Sequence, residues 1–309
     1  MEQDKHPLVA IKCLVFNHEP YLRDCLNGFV MQQTDFPFVA IVHDDASTDH
    51  SADIIREYAA KYPDIIRPIY ETENQYSKQD GSLGRIMNAA VDATGAKYIA
   101  VCEGDDYWTD PRKLQKQVSF LETHPHYSLC FHKVKTLIQD TGEMKEEMIV
   151  KNVLGESTIL DLAKGNYIHT PSVLYRNLHE IERDKSQFGA LPVGDYILWM
   201  ICAKYGKIYK LKDVMAVYRL GSGIWSVKSD FYHYVVWLSV LNQLRMSMND
   251  NIEVVKILEQ QIQQTQTFVL TSFQNVEYQL KQIMSSKAYR IGKILLSPFK
   301  IINHLLGKQ

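Results

Sequence analysis

Apolar residues along the first 125 positions come in short blocks, and the blocks alternate between two periods. Leu8 to Phe16 is apolar except for Lys12 and reads as a buried strand. Pro20 to Gln32 follows, with Leu22, Leu26, Phe29 and Val30 at helical spacing. Phe36 to His43 reads as a second strand, Ser51 to Lys61 as a helix and Ile65 to Tyr70 as a third strand. Leu83 to Ala93 is expected to be helical, and Tyr98 to Cys102 a short strand. Pro111 opens the helix to about Thr123, because proline suits the first helical turn. Strands alternating with helices predict an α/β fold, a mostly parallel sheet with helices on both faces.

The second half is less regular. Lys133 to Gly155 is polar and reads as a hairpin or loop insertion, Ser157 to Lys164 as a short helix, and Ser172 to Tyr175 as a strand. Gly194 to Tyr205 is a helix opened by Asp195, with Ile197, Leu198, Ile201 and Cys202 on one face. Val214 to Tyr218 is a strand running into Arg219-Leu220-Gly221-Ser222-Gly223. From about Asp230 to Ser285 the chain is helical and free of proline. There Val255, Leu258, Ile262, Thr265, Val269, Val276, Leu280 and Ile283 approximate a three-four spacing. The first reading of that stripe is a face packed on its own domain; a coiled-coil seam joining two copies is the alternative.

Composition narrows the class. The chain has 309 residues, 46% of them hydrophobic and 23% charged, as in ordinary folded proteins with one large domain or two modest ones. Lys and Arg number 34 against 36 Asp and Glu, so no global basic field favours nucleic acid. The balance conceals a lopsided distribution. From Lys281 onward there are six basic residues and no acidic one, which leaves −8 on the remainder. In the tail from Ser285, Tyr289, Ile291, Ile294, Leu295, Phe299, Ile302 and Leu305 interleave with Lys287, Arg290, Lys293, Lys300 and Lys308. Such a basic amphipathic segment suits an anionic membrane surface, with docking on the protein body as the equal alternative. Pro298 would kink or divide it. Five scattered cysteines form no CxxC pair and read as reduced, buried thiols. No apolar run is long enough to span a bilayer, and Met1 to Pro7 holds no signal-peptide core. The expected location is cytoplasmic, at most peripheral at the membrane.

In open α/β sheets ligands bind beyond the carboxyl ends of the strands. Polar clusters stand at three such exits: Asn17-His18, Asp44-Asp45 and Asp105-Asp106. Adjacent carboxylates repel, so Asp105-Asp106 suits either a hard divalent cation or a loop whose amides they cap. Asp44-Asp45-Ala46-Ser47-Thr48-Asp49 has an equally plain reading, since Asp49 or Ser51 can cap the next helix. Asp195 can likewise be an acid favoured at a helix start. His169 borders a strand as a structural or a pocket histidine, and Trp108 reads first as core packing.

Five segments in order resemble the family 2 glycosyltransferases, which have the GT-A nucleotide-sugar-binding fold. They are Cys13 to Leu22, Val42 to Asp49 (the family's DDGSTD segment), Gly84 to Ala90, Glu103-Gly104-Asp105-Asp106 (its DxD-like motif) and Gly194 to Trp199. The resemblance covers roughly residues 7 to 226. It implies a catalytic domain over 1–226; the helical pattern and the basic run outside the match divide the rest into a helical extension over 227–285 and the basic tail over 286–309. It further implies that Asp45 meets the nucleobase beside the backbone of Leu14 to Phe16, and that Asp105 contacts the ribose. Asp106 would hold Mn²⁺ or Mg²⁺ on the diphosphate, Arg85 would support the nucleotide pocket, and Asp195 would deprotonate the acceptor hydroxyl. The implied reaction moves a sugar, with inversion, from a nucleoside-diphosphate donor, most often UDP-linked, to a glycan or lipid-linked glycan acceptor. Surface polysaccharide synthesis is the implied setting. Leu220 departs from the pattern, because relatives often carry a metal- or diphosphate-binding histidine there. That departure keeps a catalytically inactive scaffold as an alternative. A nucleotidyltransferase is a weaker one, since Phe16-Asn17-His18-Glu19-Pro20 is no glycine-rich phosphate loop.

Overall fold

The computed structural model describes residues 6–147, 153, 155–188, 194–223, 228–287, 289 and 291. Strand β1 (Val9–Val15) is flanked in parallel by β2 (Phe38–Asp44) and β4 (Tyr98–Val101), and β3 (Ile66–Tyr70) adds to β2. Helices α1 (Glu19–Val30), α2 (Ser51–Lys61) and α3 (Ser82–Asp92) make the crossovers. These are the predicted elements, shifted by one or two residues at their ends. They form because β1 and β2 must be apolar on both faces once helices cover the sheet. Val9, Ala10, Ile11, Cys13, Ala40 and Val42 are fully buried.

Beyond β4 the sheet changes character. A two-residue strand β5 (Tyr107–Trp108) precedes α4 (Lys113–Thr123), and the chain then enters β6 (Tyr127–Ile138), a twelve-residue strand. The expected hairpin is present: β7 (Glu143–Glu146) folds back antiparallel on β6. Next come β8 (Gly155–Ser157), α5 (Ile159–Leu162), β9 (Leu174–Arg176), α6 (His179–Lys185) and α7 (Gly194–Lys204). The last strand, β10 (Lys207–Leu220), is fourteen residues long and parallel to β6. The sheet order is β3-β2-β1-β4-β9-β6-β10-β5, with β9 antiparallel to both β4 and β6. A mostly parallel half is thus completed by a mixed one.

Close packing fixes the join between α1 and β5. A Cβ at Gly28 would stand 2.9 Å from the Trp108 backbone nitrogen, so only glycine lets the helix lie that close. Phe29 meets the Trp108 ring edge-on at 4.9 Å, and the indole N–H donates to the Pro171 carbonyl at 2.9 Å. Trp108 is therefore core. All five cysteines are buried and unpaired by disulfides, as expected.

The predicted long helix divides in two, α8 (Asp230–Ser247) and α9 (Ile252–Ser285). The chain separates into two compact units, residues 1–259 and residues 260–309. Every element of the sheet lies in the first. No helix among the described residues is long and apolar enough to cross a membrane. The tail from residue 292, with Pro298 and most of its basic positions, lies outside the described residues.

Candidate active site

Strands β1, β2 and β4 end side by side, and their hydrogen-bond ladder continues one step past the strands. The Asp45 N–H donates to the Val15 carbonyl and the Gly104 N–H to the Leu14 carbonyl, each at 2.9 Å. The three polar exits are thereby held against one another. Asn17, at φ 57°, accepts from the Thr48 N–H at 2.8 Å, and Asp49 accepts from the amides of both Glu19 and Ser51. The N-cap of α2 is His50, so Asp49, one residue earlier, takes the first helical amide instead of the N-cap position and ties α1 to α2. Gly104 is a necessary glycine: a Cβ there would stand 2.7 Å from His18 Nδ1.

A cavity of about 330 Å³ opens over this edge. Its walls are Leu14, Phe16, His18, Asp45, Glu103 and Asp105 from the exits, with Tyr218 and Arg219 from the end of β10. Asn74, Tyr76, Gln79, Lys228 and Tyr232 close the remaining sides. Four of the predicted residues, Leu14, Phe16, Asp45 and Asp105, therefore share one cavity. Asp106, Arg85 and Asp195 are not among its walls. Arg85 turns to its own loop, donating to the Asp80 carbonyl at 2.8 Å.

Each acid is held differently. Asp45 accepts the Gln75 and Tyr76 N–H groups at 2.6 and 3.0 Å, one on each oxygen. Asp105 accepts the Ser222 hydroxyl at 2.8 Å, so Gly221-Ser222-Gly223 reaches back to the β4 exit. Asp106 points the other way and accepts the Arg219 N–H at 2.7 Å, fastening β10 to the same loop. The Arg219 guanidinium lies between the rings of Tyr21 and Tyr107, 5.0 Å from each, and pairs with Asp24 at 2.6 Å. Its Nε is buried without an acceptor among the described residues.

The electrostatics of the edge are one-sided. Burial, then the charge of Asp105, pushes the Asp106 carboxyl well above the usual carboxylate range. The Glu103 side chain reaches open space in the cleft, yet the desolvating walls come first among the causes that raise it to about 8, followed by Asp105 and Asp195. Burial also raises Asp195, against the pull of the Tyr196 N–H at 2.7 Å and of Thr170 and Asn166. The Tyr218 hydroxyl is pushed up by burial and then by Asp106, Glu103, Asp105 and Asp195 together. Its ring rests 4.8 Å from that of His169, which puts His169 behind the cleft wall. A group of mutually repelling acids fits a divalent cation, whose charge would relieve them. Among the described residues no three His, Cys, Asp or Glu side chains converge as a ready-made metal site. The donor set therefore fits a cation shared with ligand oxygens.

Sequence reading missed several walls. Glu103 stood inside a quoted motif without a role. Tyr218 ends a strand that the sequence reveals, though without a role; Tyr76, Gln79, Lys228 and Tyr232 carry no local pattern, because the fold alone brings them to the β1 exit.

The sequence pattern of the family described as "Glycosyl transferase family 2" matches residues 13–181. An uncharacterized protein of Mycobacterium tuberculosis is 39% identical over 220 residues, 70% of this chain and 60% of that protein. The chain thus spans well under two thirds of the length of that relative. A putative glycosyltransferase of Bacillus subtilis, EpsE, is 26% identical over 91% of this chain and 96% of its own. Among solved structures, S. aureus TarS 1-349 in complex with UDP has a TM-score of 0.57 at 18% identity, covering 94% of this chain and 75% of that one. The mannosyltransferase PcManGT from Pyrobaculum calidifontis, in complex with GDP-Man and Mn²⁺, has a TM-score of 0.55 at 15% identity, covering 99% and 89%. The α/β sheet with three polar exits at one edge, two of them acidic, is the GT-A fold, and the chain belongs to glycosyl transferase family 2.

Proposed function

We propose that this chain transfers a sugar, with inversion, from a nucleoside-diphosphate sugar to a hydroxyl of a glycan or lipid-linked glycan during polysaccharide synthesis. One observation carries the reading: Asp45, Glu103 and Asp105 line a single cavity at the carboxyl edge of the sheet, and Asp195 lies near enough to raise Glu103. The bound forms of TarS and PcManGT support a nucleotide in that cavity. Asp45 and Phe16 would receive the nucleobase, and Glu103 the ribose. Asp105, whose carboxylate faces the cavity, would meet Mn²⁺ or Mg²⁺ together with the diphosphate; Asp106 is engaged by Arg219 and would set the loop. The cation would offset charge on the departing diphosphate. Arg219 Nε and Lys228 would add donors on the phosphate side. Arg85 would act from outside the wall, steadying its loop through Asp80.

Asp195 is the candidate base. An alcohol is a weak nucleophile at neutral pH, and a carboxylate raised by burial is a better proton acceptor than a free one. A UDP-linked donor is the first to test. Hydrolysis or transfer of a nucleotide-sugar panel, with Mn²⁺ and with chelator, should show metal-dependent turnover. Asp195→Asn should bind the donor within about threefold of the parent while losing at least about 10²-fold in turnover. Full turnover in that variant removes the base assignment. No donor binding by the parent favours the inactive-scaffold reading, which Leu220 at the end of β10 keeps in view.

A further inference from the structure

The second unit carries an apolar seam that its own helix leaves uncovered. Ile262, Val269, Phe273, Val276, Leu280 and Ile283 follow one another at intervals of seven, four, three, four and three along α9. With Gln266 filling the gap, this is a continuous heptad seam, with Phe273 and Leu280 at a and Val269, Val276 and Ile283 at d. Ile262 is buried, but Phe273 is 66% exposed, Val276 55%, Leu280 52% and Ile283 60%. Along the stripe Leu258 and Ile262 are buried, Thr265 and Val269 half-buried, and Val276, Leu280 and Ile283 exposed.

Two occupants would cover such a face, a lipid surface or another protein helix. The polar side of α9 argues against lipid. Interfacial helices carry a strongly charged, basic polar face. Between Gln260 and Ser285 the only charged residues are Glu277 and Lys281, which pair with each other at 2.7 Å; the rest of that side is mostly Gln, Asn, Ser and Thr, with Phe268 and Tyr278 among them. A neutral polar face beside a strict three-four seam is the pattern of helices that pair with one another. The area is adequate too. The exposed seam residues Phe273, Val276, Leu280 and Ile283, with flanking Leu270 and Met284, expose roughly 100 Å² each, or roughly 600 Å² per copy, the low end of specific protein interfaces.

We infer that α9 self-associates through this seam, joining copies of the chain as a coiled coil. Leu at a with Val or Ile at d disfavours a parallel pair and favours more strands. The number of copies is therefore read from mass. The inference is independent of the catalytic reading, because it concerns residues outside the cavity.

The test is mass measurement by light scattering and sedimentation velocity on the full chain, at about 1 to 50 μM. The parent should run as an oligomer, and Val276→Asp and Leu280→Asp should each run as a monomer at the same concentrations. Tyr278→Asp, equally exposed but off the seam, should leave the oligomer intact, and helix content by circular dichroism should match in all four proteins. A monomeric parent at every concentration overturns the inference. So does an oligomer that all three variants retain, or that Tyr278→Asp abolishes as fully as the seam variants. Seam-dependent capture of a monomeric parent by phosphatidylglycerol vesicles would assign the face to lipid instead.

Discussion

At the scale of single residues, the site stores strain and buries charge. Ala46, the residue after Asp45, has φ 59°, a left-handed conformation that costs an L side chain about 1–2 kcal/mol. Glycine would adopt it freely but would gain freedom in the unfolded chain. Ala46→Gly should therefore raise stability by about 0.5–1 kcal/mol in urea unfolding; a loss of that size would mean the strain lies elsewhere. Lys113 shows the burial of charge. Fully enclosed, it lies 4.1 Å over the Trp108 ring and donates to Gln117 Oε1 at 2.7 Å. Burial lowers it to about 7 from an ordinary 10.5. Between those values the unfolded chain holds a proton that the folded chain lacks, so stability rises with pH from about 7 upward. Lys12, also lowered to about 7, acts in the same direction. Lys113→Met should flatten that rise between pH 7 and 9 by up to about 1.4 kcal/mol per pH unit, read from urea midpoints. An unchanged slope would place the effect on other groups.

At the scale of elements, legibility followed how simply each element is buried. Strands β1, β2 and β4 and helices α1 to α4 are readable because each has one burial rule, apolar throughout or apolar at helical spacing; in β3 only Ile66 is buried. β10 was read only from Val214. Its first half holds Lys207, Lys210, Lys212 and Asp213, and register shifts at Leu211/Val214 and Val214/Ala216 break the period of two. The buried Lys210 is held by Glu147, a partner that no local pattern reveals. α6 is a charged run with Ile181 as its one buried apolar residue, and it passed unnoticed. The break between α8 and α9 falls at Asn249-Asp250-Asn251, turn formers that lack the glycine or proline the eye seeks. The same limit explains the acids. Carboxylates at one strand exit are visible in sequence, but which of Asp105 and Asp106 faces the cavity depends on the turn of the backbone and on β10. Contact between elements is testable at Gly28. Gly28→Ala should force α1 away from β5 and cost about 1–3 kcal/mol by urea unfolding. A change below about 0.5 kcal/mol would show that the interface yields.

At the scale of the whole molecule, charge is segregated along the chain. The acids of the sheet edge lie in the first unit, and the stretch from Lys281 onward holds six basic residues and no acid. We expect the full chain to sediment with anionic vesicles, and binding to weaken as salt rises from about 0.05 to 0.3 M and shortens the screening length. A chain ending at Ser285 should lose that binding; equal sedimentation of the two would assign the tail to the protein body.

The ties of Asp106 to Arg219 and of Asp105 to Ser222 cross 113 and 117 positions of sequence. Most of the sheet can pair before those residues leave the ribosome, but the acidic edge stays open until β10 is made and inserted. Contacts so distant along the chain form late, because a long loop must close first. A nucleotide sugar would thus be bound only once β10 is in place, and its binding would hold the β1 and β10 regions of the sheet together. The donor would then be a substrate in turnover and, between turnovers, the clasp on a closed sheet.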